Sequence, residues 1–137
     1  MRRSLRVALL VTVAGALLAQ RSENIPDMQR LWGALKQQLA GPNGQRYFED
    51  NLKDSALPFL YGTVLSALPK DKPVLVIVAM SDKSTREVNL RMEAALTDEL
   101  PAGTEVLFRG VATGFSPDPF RLTIEPTAIR VHEARPK

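Results

Sequence analysis

The chemistry-bearing residues of this 137-residue chain are few, and their types and spacing exclude most catalytic chemistry. There is no cysteine, so thiol catalysis and disulfides are excluded. The single histidine is His132, five residues from the last. A Ser-His-Asp arrangement needs its imidazole held rigidly by packing, and a frayed terminus does this badly. His132 therefore reads as a solvent-exposed residue ending a strand. A zinc site needs three or four ligands at set spacings, and no such cluster of His, Cys, Asp or Glu occurs in the sequence. Glu49-Asp50 and Asp98-Glu99 are sequential, so each pair points to different sides of its element and reads as solvated surface. Ser81-Asp82-Lys83-Ser84-Thr85 holds the residues of a Ser-Lys dyad. That chemistry requires a buried lysine of depressed pKa, whereas this polar run has the composition of a turn. No glycine-rich phosphate loop is present. The inventory predicts a protein that is not an enzyme and takes no metal or cofactor.

The charge balance has one local source. Eighteen Lys and Arg oppose fifteen Asp and Glu, a formal net charge of +3. Arg2, Arg3 and Arg6 supply all of the excess, so the chain from Gln20 onward is formally neutral. Those arginines precede an apolar stretch over 7–19 that ends in small residues. A positive start, a short apolar run and small residues at its end are the pattern of a secretory signal peptide. Cleavage is expected after Ala16 or after Ala19. The run is shorter than the roughly 20 residues a spanning helix needs, and no later run is longer. The expected address is the periplasm or the exterior, with no transmembrane segment in the mature chain.

These few residues must be positioned by elements of two kinds. Over 20–56 the pattern is helical. Pro26 suits a first helical position and Asp27 the helix N-terminus. Met28, Leu31, Trp32, Leu35 and Leu39 share one face. Gly41-Pro42-Asn43-Gly44 breaks that helix, and a second short helix is expected over 45–53. Trp32 and Tyr47 are expected to pack on the domain C-terminal to them. Over 57–133 the pattern is that of strands, at 59–67, 74–80, 87–93, 104–113 and from Phe120 past Pro126 to Val131. The third alternates, with Val88, Leu90 and Met92 on one face and Glu87, Asn89, Arg91 and Glu93 on a wet face. Pro126 removes a ladder donor and predicts a bulge or an edge. Residues 94–100 read as short helix or irregular chain, and 134–137 as a tail.

Five short strands, Gly62 within the first and Gly110 within the fourth resemble an OB-fold, a small Greek-key barrel. The expected class is α+β, mainly β, with a five-stranded OB-like barrel preceded by a helical segment. Leu57-Pro58-x-Leu60-x-Gly62-Thr63-Val64, Gly103-Thr104-x-Val106-x-Phe108-x-Gly110-Val111 and Phe115-x-x-Asp118-Pro119-Phe120-x-Leu122-Thr123 are similar to a group of small exported bacterial proteins of unassigned function. Gly41-Pro42-x-Gly44-x-x-Tyr47-Phe48 is similar too. That resemblance implies an architecture and no activity.

By analogy with OB barrels, a ligand would meet strands two and three and the loops 68–73 and 114–119. Both loops are proline-rich, hence stiff. Lys70, Lys72 and Phe115 are the candidate ligand-binding residues. Nucleic acid is not expected as a partner, because such barrels need a positive groove and stacking aromatics. Here strand two has no aromatic, and Glu87 and Glu93 flank Arg91. Periplasmic haem chaperones pair a His with a nearby Tyr, and no Tyr follows His132. The expected role is an exported, non-enzymatic module for interaction with a protein or cell-envelope component. The alternatives are a small-ligand binder using the barrel mouth and, with no supporting spacing, a carboxylate hydrolase.

Overall fold

The computed structural model describes residues 24–132. The signal segment over 1–19 and the tail over 134–137 lie outside the described residues. Helix α1 spans Ile25–Ala40. Its start follows local chemistry: the Asn24 side chain accepts from the backbone N–H of Asp27, Pro26 lies in the first turn, and Asp27 complements the helix dipole. Met28, Trp32, Leu35 and Leu39 are its buried face. After the Gly41-Pro42-Asn43-Gly44 break comes α2, Gly44–Tyr47, which runs into a π-helical turn, Phe48–Leu52. No described helix is long and apolar enough to cross a membrane.

The chain then forms five strands: β1 Ala56–Leu68, β2 Leu75–Ala79, β3 Arg86–Arg91, β4 Glu105–Pro117 and β5 Phe120–Val131. They make a closed barrel in the order β1-β2-β3-β5-β4, with β4 returning to β1. All pairings are antiparallel except β3 with β5. This is the OB-like barrel with N-terminal helices that the pattern predicts. A closed barrel of so few strands forces close approaches. A Cβ on Gly62 would lie 2.3 Å from Val78 Cγ1, and one on Gly110 would lie 2.2 Å from the carbonyl oxygen of Glu125. The ladder slips beside Pro126, which pairs with Gly110, so the expected bulge is there.

The registers give the barrel two ends. The start of β1, the β2–β3 loop and the β4–β5 hairpin lie at one end; the β1–β2 loop, the β3–β4 connection and the end of β5 lie at the other. The helical segment packs on the first. Trp32, Leu35, Leu39, Phe48 and Leu52 join Leu57, Leu60, Val64, Phe108 and Leu122 in one core cluster. At the opposite end no helix forms between β3 and β4: residues 92–104 are irregular, and Leu100, buried, with Leu96 beside it, fills the bottom of the core.

Three sequence readings need correction. Glu87 is not on a wet face; it is 2% exposed. Lys36 of α1 reaches it, and Ser81 donates to it through N–H and Oγ–H, both at 3.2 Å. Glu87 is the extra residue where the β2–β3 ladder slips, and there Lys36 of α1 and Ser81 cover it. The loop expected over 114–119 is a two-residue hairpin, Asp118-Pro119, because Gly114 to Pro117 pair with Thr123 to Phe120. His132 is half-buried rather than exposed: its ring stands edge-on to Tyr61 at 6.2 Å, and its N–H donates to the Glu105 carbonyl at 2.8 Å.

Candidate functional site

Lys70, Lys72 and Phe115 do not form one site. Lys70 and Lys72 are exposed in the β1–β2 loop, at the end away from the helices. Phe115 lies inside β4 at the helical end, with Phe48 at 5.8 Å and Phe120 at 5.4 Å between ring centroids. Phe115 is part of the packing that fixes the helical segment, since Phe120 in turn meets the edge of Trp32 at 6.1 Å. The outer side of β2 and β3, where fold analogy places a ligand, is occupied at Glu87 by Lys36, whose ammonium also lies 5.8 Å from the Phe120 ring. The Ser81–Thr85 run forms no dyad. Asp82 folds it by accepting from the N–H groups of Ser84 and Thr85 and from the Thr85 hydroxyl. Those bonds hold the Asp82 carboxyl down at about 2.

A different surface gathers arginines and aromatic side chains, the types enriched at protein interfaces. It is the outer face of β1, β4 and β5. Period-two spacing puts Phe59 and Tyr61 on that face of β1, Leu107 and Arg109 on β4, and Ala128 and Arg130 on β5. The registers align Tyr61, Leu107 and Arg130 across the three strands. Phe59 sits at an irregularity between Leu57 and Leu60, opposite Arg109. The guanidinium carbons of Arg109 and Arg130 lie 5.1 and 5.4 Å from the centre of its ring. Both arginines are exposed, while Leu107 beneath is 1% exposed. Tyr61 borders the cluster. Burial and the neighbouring Glu105 carboxylate push its phenol up to about 12.

No protein-family profile matches the chain, and no curated protein is significantly similar to it. The site therefore rests on its own geometry. A half-buried ring with two guanidiniums over it combines apolar area with positive charge. Arg and aromatic residues are the types enriched at protein interfaces and their hot spots. The arginines offer donors in a planar fork suited to carboxylates and phosphates.

Around the same β5 residues opens a second feature. A cleft of about 300 Å³ lies between the β3–β4 connection, at Leu96 to Asp98 and Leu100, and the end of β5, at Ile129 to Val131. Arg130 borders both the cleft and the Phe59 cluster. Among the described residues, no group of three or more His, Cys, Asp or Glu could hold a metal ion.

The sequence carried a signal for this surface: Phe59-x-Tyr61, Leu107-x-Arg109 and Ala128-x-Arg130 are all period-two pairs. What it did not carry was the register that brings three distant strands side by side.

Proposed function

We propose that the protein is an exported, non-enzymatic recognition module that binds a protein or cell-envelope component through the outer face of β1, β4 and β5. The observation that carries the reading is the pair of exposed guanidiniums, of Arg109 and Arg130, lying over the Phe59 ring. A charged rim around an aromatic anchor is the arrangement in which a few residues dominate binding energy. Export rests on the N-terminal pattern of arginines and apolar residues.

The test is capture from native envelope extract with the chain from Gln20 as bait. A partner retained at near-stoichiometric amount through a salt wash is expected. Phe59→Ala with Arg109→Ala should lower its retention by about tenfold or more, the effect of losing a hot spot. Undiminished retention by the folded double variant overturns the placement. Turnover of a substrate, abolished by a single substitution in a folded variant, overturns the non-enzymatic reading.

The cleft of about 300 Å³ supports a second reading, a small-ligand binder at the barrel mouth. Its signature is a ligand-dependent rise in melting temperature that is removed by filling the cleft at Leu96 or Val131.

A further inference from the structure

Strands β3 and β5 share only a short ladder. They pair between Val88 and Leu90 on one and Leu122 and Ile124 on the other. β3 ends at Arg91, while β5 continues to Val131. Beyond Ile124, β5 has β4 on one side. On its other side no described strand pairs with it.

The ladder shows which backbone groups face that open side. His132 donates its N–H to Glu105, which lies opposite it in the β4–β5 register. Bonded pairs alternate in an antiparallel ladder. Arg130 and Ala128, opposite Leu107 and Arg109, therefore turn their backbone groups toward β4. Ile129 and Val131 turn theirs away. Two N–H and two C=O groups form an open edge, a template for another strand.

The edge also has side-chain character. Among the described residues, the exposed large apolar ones are Leu68, Val74 and Val131, and all three lie at this end of the barrel. Val131 is opposite buried Val106 and Ile129 is opposite buried Phe108, so both side chains belong to the inner face, where the cleft opens. The far wall is held by Leu96 N–H donating to the Pro73 carbonyl and Met92 N–H to that of Val74, each at 2.8 Å. Arg130, between Ile129 and Val131, belongs to the outer face and the Phe59 cluster.

We propose that the open edge of β5 is a strand-addition site for an extended segment of a partner protein, with apolar residues alternating with acidic ones. Its backbone pairs with Ile129 and Val131. Its inward side chains enter the cleft on the side of Leu96, Leu100, Ile129 and Val131, away from Asp98 on the same lining, and its outward carboxylates lie beside Arg130, with Arg109 one strand further along the same face. Alternation is imposed by the strand itself, and cross-strand neighbours of opposite charge attract. The inference rests on the recognition reading above and names the partner's chemistry.

The test uses the chain from Gln20, which holds the whole described fold, and a random peptide library displayed on phage. Selected sequences should alternate apolar and acidic residues. By amide hydrogen exchange, Ile129 and Val131 should exchange fast in the free protein while Ala128 and Arg130 are protected. A selected peptide should slow the first two by at least about tenfold, since each acquires a ladder bond. Val131→Pro removes an outward N–H without touching the β4 ladder, and should weaken peptide binding by about tenfold; Val131→Ala keeps the donor and should weaken it less. Arg130→Glu should remove the preference for acidic residues. Slow exchange of Ile129 and Val131 in the free protein overturns the open edge. So does peptide binding that leaves these amides unprotected. Protection that rises with protein concentration alone assigns the edge to a second copy and overturns the partner segment. A library that yields no binder overturns strand addition and leaves the recognition reading to the envelope capture.

Discussion

A carboxylate buried at the start of β3 is tolerable only if its charge is met. The Glu87 side chain is 3% exposed and that of Lys36 is 36% exposed. The two partners therefore carry different risks. Lys36→Met leaves a buried carboxylate with only the Ser81 donors. Glu87→Gln leaves an ammonium that reaches solvent on its own. We expect Lys36→Met to lower stability by about 2–3 kcal/mol and Glu87→Gln by about 1 kcal/mol, because the larger penalty belongs to the uncompensated buried charge. Urea unfolding of the two variants checks the order; equal or reversed losses would mean that Glu87 is solvated when unpaired. The residue scale also shows why sequence alone misjudges the exposure of Glu87. Alternation does not reveal the slip in the β2–β3 ladder at Glu87, and Lys36, fifty-one positions earlier, decides whether that carboxylate is wet.

At the scale of elements, the strands are the most legible part of the chain. Their existence is written in alternation and β-branched runs, and their ends are not. The pattern stops β4 at Thr113, yet the strand continues to Pro117, because Phe120 to Thr123 lie opposite and pair with it. The segment 94–100 fits short helix or irregular chain by its residues, and without a helix its Leu96 and Leu100 still fill the barrel bottom. Glycine in a strand suggests freedom to bend, and the structure assigns Gly110 a different need. There the obstacle is backbone: a Cβ would meet the Glu125 carbonyl oxygen at 2.2 Å and Pro126 Cα at 2.5 Å. Gly110→Ala must push two strands apart at the bulge and should cost about 2–4 kcal/mol. Gly33, exposed in α1 with nothing within 4 Å of its virtual Cβ, is the matched control. Gly33→Ala should gain up to about 1 kcal/mol from helix propensity. Thermal unfolding of the pair separates a close approach from a general intolerance of alanine.

At the scale of the whole molecule, the helical segment and the barrel share one core. The composition changes near residue 56, which invites two units. The core does not respect that boundary, since Leu39, fully buried on α1, shares one cluster with Leu60 and Phe108 of the barrel. The helices close one end of the barrel, and at the other β5 extends past the end of its ladder with β3. If this is one cooperative unit, every probe must report the same transition. Trp32 is the sole tryptophan and sits on α1, so its fluorescence follows the helix, while far-ultraviolet circular dichroism follows the strands as well. The two urea midpoints should coincide. Leu39→Ala should lower both together, by about 3 kcal/mol, as for other fully buried leucines. A fluorescence midpoint below that of the circular dichroism would mean that α1 detaches from a barrel still folded. The barrel would then have two accessible ends, and the case for strand addition at the end opposite the helices would lose its asymmetry.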